Sequence, residues 1–258
     1  IFKSWNDGEL HSYLIGITAG IFREADDLWD GELIDRIKDS AKQKGTGRWA
    51  SIEALKQGVD ISMITSACTA RIMSNHLDER EKAWQLIHSP AVVLSPDKES
   101  FAAMVREAQY TGKIIAYAQG FSLMQDASRL YGWNLDLGKI ASIFRAGCII
   151  QAVFLNDITH AFEAEPKPEN LIFDGFFLSR INEHQDSLRQ AVSTGVMNGL
   201  PIPALCNAVS YLDEFRAKAA GANLIQAQRD CFGAHTYERT DREGVFHHEW
   251  RWANDNQH

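Results

Sequence analysis

SPDKESFAAMVREAQYTGKIIAYAQGFSLMQDASRLYG, residues 95–132, is the stretch that decides the fold. Ser95-Pro96-Asp97 opens it and Gly132 closes it. Between them Phe101, Met104, Val105, Ala108, Ile115, Ala118, Phe121 and Met124 recur at helical spacing, a stripe about seven turns long. A helix of that length with one apolar face is predicted to be the spine of the domain. Upstream, Pro90 and Pro96 bracket a short extended connector, Ala91-Val92-Val93-Leu94.

Other segments repeat the helical period. Leu10, Leu14, Ile17 and Ile21 form one stripe, with Asp7 and Glu9 at its start where the helix dipole favours acids. Ile34 and Ile37 resume the pattern, Lys42 to Gly47 is a glycine-punctuated loop, and Trp49, Ile52 and Leu55 begin a short helix that Gly58 ends. A further helix is expected from Ser62 to about His88. The apolar run Cys148-Ile149-Ile150-Gln151-Ala152-Val153-Phe154-Leu155 reads as a buried core helix, and helices follow around Ile181–Val196 and Leu205–Ala219. No alternating strand pattern emerges. The predicted fold is all-α, without a strand–helix–strand unit to host a dinucleotide. Two related helical units are expected within it. Trp5–Leu10 resembles Phe144–Ile149, and Leu14–Thr18 resembles Leu155–Thr159; chance likeness between apolar helices is the other reading. The long helix precedes only the second unit, so a matching portion upstream of the first is expected to be missing.

Bulk composition narrows the function. With 258 residues and 45% hydrophobic content the chain can build a large core. Its net charge of −8 argues against nucleic-acid or anionic-membrane partners. Cys68, Cys148, Cys206 and Cys231 show no C-x-x-C spacing, which fits a reducing cytoplasm. No window approaches the roughly 18 apolar residues of a membrane span. The opening Ile1-Phe2-Lys3-Ser4-Trp5 carries no leader pattern and no initiator methionine, so a clipped chain is expected.

Three basic sites stand out. Lys44-Gly45-Thr46-Gly47 joins a point charge, a hydroxyl and glycines that let backbone amides approach an anion at a helix start; a solvated loop is the other reading. Gly45–Ala50 also matches G-x-G-x-x-[GA], but no strand precedes it, so a dinucleotide turn is rejected. Arg71 sits on a largely apolar helix and needs either a ligand or an acid such as Asp78. The run Ala222–Arg239 is dense in polar groups. In it Arg229 and His235 lie six residues apart, with Gly233 placed to break the helix and turn His235 toward a shared ligand; a capping arginine and a satisfied core histidine are the alternative. His247-His248-Glu249 reads as solvent-facing tail, not a metal site.

Tyr117–Phe121, Ile140–Ile150, Gln43–Trp49 and Asn223–Arg239 together resemble the decarboxylating 6-phosphogluconate dehydrogenases, in order along nearly the whole chain. The likeness covers only that family's C-terminal helical half. It implies an NADP-dependent oxidation of 6-phosphogluconate, decarboxylation through an enediol, and release of ribulose 5-phosphate and carbon dioxide in the pentose phosphate pathway. By matching motifs, Lys44, Thr46 and Arg71 are implied phosphate ligands. Arg229 and His235 are implied to reach the neighbouring subunit's site in a homodimer. The implied domain is 1–240, an all-helical body for substrate binding and dimerisation, truncated on its N-terminal side, with 241–258 as a tail. The family's nucleotide loop, general-base lysine and general-acid glutamate belong to the missing part, so no catalytic residue is assigned here and NADP is expected to bind mainly there. Gly16, Phe144, Ala146 and Gln151 depart from the family's glutamate, tryptophan, glycine and arginine, and the tail is short. A non-catalytic helical dimerisation or phosphosugar-binding module is the competing reading.

Overall fold

The computed structural model describes residues 1–92 and 97–250. Val93 and Leu94 of the expected connector, and the Ser95-Pro96 opening, lie outside the described residues. The helices are α1 (Phe2–Asn6), α2 (Tyr13–Ile21), α3 (Thr46–Gln57), α4 (Ser62–Ser74), α5 (Leu77–Leu86), α6 (Lys98–Tyr131), α7 (Leu137–Ile143), α8 (Leu155–Glu163), α9 (Gly175–Met197), α10 (Pro203–Arg216) and α11 (Ala222–Gly233). Among the described residues the one sheet is a hairpin of β1 (Tyr237–Glu238) and β2 (Val245–Phe246). The fold is all-α. Two compact units divide the chain, Ile1–Ser210 and Tyr211–His258.

In the first unit α6 is the spine. The Asp97 carboxylate accepts from the amides of Glu99 and Ser100, both at 3.1 Å, and Gly132 ends the helix at φ 65°. Its buried face includes Ala108, Ile114, Ile115, Ala118 and Phe121. Helix α9 packs along it through Phe177, Ile181, His184, Leu188 and Ala191, buried at alternating spacings of four and three. Each large apolar side chain so enclosed contributes about 1.5–3 kcal/mol. Gly112 lets α10 approach closely, because a Cβ there would stand 2.8 Å from Leu205 Cδ2.

Three sequence expectations are corrected. The helix expected from Ser62 to His88 is two, α4 and α5, separated at Asn75 and His76. The first stripe is also interrupted: α1 stops at Asn6, and Ser12 caps α2 with its Oγ accepting from Ile15 N at 3.4 Å. Cys148 to Phe154 is not a helix. Gly147 turns left-handed at φ 68°, a turn closes from Gln151 N to Cys148 O at 3.0 Å, and Ala152 forms an isolated bridge with Ser12. There Tyr13 N donates to Gln151 O and Val153 N to His11 O, both at 3.0 Å. The apolar run serves as a strap between two helix–turn–helix pairs, α1–α2 and α7–α8, the same two segments whose sequences echo each other.

Candidate functional site

Helix α3 begins at Thr46 behind Gly45, whose φ of 100° only glycine adopts without strain. The first intrahelical bond reaches from Trp49 N to Gly45 O at 2.9 Å. The amides of Thr46, Gly47 and Arg48 therefore point out of the helix end without a backbone partner. Lys44 and Thr46 are exposed beside them. This end of α3 is fastened to the far end of α4. Ala41 N donates to Ser74 Oγ at 3.0 Å, Ser40 Oγ to Asn75 Oδ1 at 2.8 Å, and Asn75 Nδ2 to Ala41 O at 3.1 Å. The Cys68 sulfur fits against Gly47, and Arg71 follows one turn later on α4. Lys44, Thr46 and Arg71 thus share one end of the α3–α4 pair. Among the described residues neither the Arg71 guanidinium nor the Lys44 ammonium meets a carboxylate, so the pairing with Asp78 is not made. Two cations without an acidic partner among the described residues, on the same end of the helix pair as the outward amides, give that end a positive character suited to an oxyanion.

Arg229 and His235 belong to the second unit. Arg229 is exposed on α11, and among the described residues its guanidinium hydrogen-bonds Gln226 alone, Nη1 donating to Oε1 at 3.2 Å. Past the helix end the chain reverses through two left-handed non-glycine residues, Ala234 (φ 49°) and Thr236 (φ 63°), which flank His235. Sequence reading assigned the break to Gly233, but Gly233 is the last helical residue and Ala234 takes the left-handed cap. Gly233 instead makes room for the His235 ring, which would lie 2.8 Å from any Cβ there and packs edge-on against Phe232.

Asp230 fixes this reversal, and sequence reasoning missed it. Its carboxylate is fully buried. It accepts from Thr236 N at 3.0 Å, His247 Nδ1 at 2.8 Å, His248 N at 3.1 Å and Trp250 Nε1 at 2.9 Å. Burial pushes this carboxyl up, but the bonds from His247, Trp250 and the His248 amide outweigh that and hold it well below the usual carboxylate range. His247 through its ring and His248 through its backbone amide are therefore tied to Asp230 of α11, while both residues remain exposed, as their sequence implied. The signal available in the sequence was an acid flanked by the two basic candidates, with donors 6 to 20 residues further on.

A second hub holds α4. Gln119 of α6 is fully buried. Its Oε1 accepts from Met63 N at 3.1 Å, and its Nε2 donates to Ser62 Oγ at 3.1 Å. The start of the helix that carries Arg71 is thereby pinned to the spine.

Fold and site together define an all-helical module that presents, at helix ends, exposed basic side chains with no acidic partner among the described residues. A family model described as 6-phosphogluconate dehydrogenase, C-terminal domain, matches residues 1–250, and the chain belongs to that family. It is 48% identical over 250 residues to the decarboxylating 6-phosphogluconate dehydrogenase of Lactococcus lactis subsp. lactis (strain IL1403), covering 97% of this chain and 53% of that protein. The Staphylococcus aureus (strain N315) enzyme of the same name is 48% identical over 249 residues, with 96% and 53% covered. The solved Plasmodium falciparum 6-phosphogluconate dehydrogenase, described in its apo form and in complexes with cofactor NADP+ and substrate 6-phosphogluconate, aligns with a TM-score of 0.93 at 41% identity. That alignment covers 96% of this chain and 54% of the solved one. The chain spans about half the length of the relatives it matches. No helix among the described residues is long and apolar enough to cross a membrane.

Proposed function

We propose that this chain is the substrate-holding and dimer-forming half of a cytoplasmic 6-phosphogluconate dehydrogenase. The complete enzyme oxidises and decarboxylates 6-phosphogluconate to ribulose 5-phosphate and carbon dioxide with NADP, within the pentose phosphate pathway. What supports the reading is the end of α3, where outward amides, Lys44 and Thr46 follow the segment that is hydrogen-bonded to the end of α4, the helix that carries Arg71. A sugar phosphate matches that charge and donor set. Arg229 and His235 complete the site of a neighbouring subunit, so the active unit is a homodimer. Leu14, Ile17 and Ile21, the stripe of α2, are 49%, 40% and 43% exposed, which supports a further apolar surface covering them.

The residues present do not fit the dinucleotide. Among the described residues the one sheet is a hairpin of two-residue strands, and the glycine loop at Gly45 follows no strand. NADP binding and the proton-transfer groups fall to the portion beyond this chain.

Steady-state kinetics of the complete enzyme test the assignment. Arg71→Ala and Lys44→Ala each remove a charge-assisted contact, so KM for 6-phosphogluconate should rise about tenfold to a hundredfold with kcat less affected. Unchanged KM in both variants refutes the phosphate site. A complete protein that binds 6-phosphogluconate without reducing NADP supports a non-catalytic binding module instead.

A further inference from the structure

Lys113 on α6 carries an amine that no described residue receives. Its Nζ is shielded from solvent, has no hydrogen-bond partner, and lies 5.0 Å from the centroid of the Phe154 ring. Removing an ammonium from water without an acceptor costs more than one ring contact returns. Lys113 lines, along its side chain, a cavity of about 200 Å³ whose apolar wall includes Leu10, Ile15, Ile149 and Ile150. Ser12 and Gln151 add polar groups, while the Tyr117 hydroxyl is already committed to Ile150 O at 2.7 Å. Ile149 lines the cavity yet remains exposed, so it opens to solvent on that side.

We infer that this cavity is a binding site for a short-chain monocarboxylate, its carboxylate on Lys113 Nζ and its alkyl tail against Leu10, Ile15 and Ile149. The sign of the ligand follows from the lining, where Lys113 is the one charged residue and none is acidic. Burial lowers the amine to about 8, which leaves it protonated near pH 7. A dianion would leave its second charge against hydrocarbon, so one negative charge is the best match. The volume equals that of about seven waters at roughly 30 Å³ each, enough for an acid of about four carbons.

The test is calorimetric titration of the complete protein with sodium butyrate, alongside sodium acetate and inorganic phosphate. Saturable butyrate binding is expected, with acetate weaker and phosphate silent. Lys113→Met should weaken butyrate at least about tenfold. Ile149→Trp, which fills the cavity and leaves the amine in place, should weaken it too, with circular dichroism confirming that both variants fold. Absence of saturable butyrate binding overturns the proposal, as does undiminished binding by Lys113→Met or phosphate binding as tight as butyrate.

Discussion

The Cys68 sulfur on α4 occupies the space that a side chain at position 47 of α3 would need. Gly47 is an ordinary helical residue, so what it supplies is closeness between the two helices and not a special backbone angle. Gly47→Ala forces the pair apart near the end that carries Lys44 and Thr46. Overpacking of this kind costs about 1–3 kcal/mol. Adding Cys68→Ala should restore most of the loss, giving a coupling of about 0.5–3 kcal/mol in a double-mutant cycle followed by denaturant unfolding. Strictly additive effects would mean that the sulfur does not set the gap.

Gln119→Leu should strand the buried Met63 amide, which has its acceptor in Gln119 Oε1. The expected loss is about 1–3 kcal/mol. Hydrogen exchange distinguishes this from a general weakening, because the amides at the start of α4 should lose protection before those of α6 and α9. Equal loss across all three helices would contradict the pin.

Asp230→Asn keeps the shape of the side chain but replaces one acceptor oxygen with a donor that faces donors. The segment from His247 to Trp250 should detach, seen as loss of the protected Trp250 indole N–H in NMR and as new proteolytic cleavage beyond Thr236. The wild-type carboxyl is held below its unfolded value. Its contribution is therefore complete above the ordinary carboxylate range near pH 4 and fades as the pH falls below that. Acidification should release the segment in the wild type and change little in the variant. A Trp250 signal that persists in Asp230→Asn would sink the hub.

The parts that were legible in the sequence are those where one helix declares itself. Phe101 to Met124 repeats one period for long enough that only a spine fits, and Lys44-Gly45-Thr46-Gly47 signals a helix start by its glycines alone. Cys148 to Phe154 was misread because apolar composition does not distinguish a core helix from a strap. What settles it is the pairing of Gln151 and Val153 with residues near Ser12, some 140 positions away in the chain. Asp230 and Gln119 were invisible for a related reason, since their partners are separate segments brought together only by tertiary packing. The left-handed cap at Ala234 went unseen because it breaks the preference for glycine on which the reading relied.

Lys113→Met should stabilise the ligand-free protein. The folded amine releases its proton near 8, whereas the unfolded chain holds it to about 10.4. The unfolded state thus binds more protons between those values, and wild-type stability should climb with pH across that window. Below it, the drop from 10.5 to about 8 corresponds to a penalty of about 3 kcal/mol, which the variant removes. Denaturant midpoints at pH 7 and pH 10 read this directly. A wild type whose stability stays flat from pH 8 to 10 would place the amine in water.

Sharing of sites between subunits has a distinct signature in mixed dimers of the complete enzyme. Arg71→Ala damages the site of its own subunit, whereas Arg229→Ala damages the site next door if Arg229 crosses the dimer. A mixed dimer then concentrates both defects in one site and leaves the other intact. Random mixing makes half of the dimers mixed, so activity should recover to about a quarter of wild type from two nearly inactive parents. If Arg229 serves its own subunit, every site in the mixture carries one defect and no recovery follows. The outcome separates shared from self-contained sites when activity is read at 6-phosphogluconate concentrations well below the raised KM, where both parents are nearly inactive.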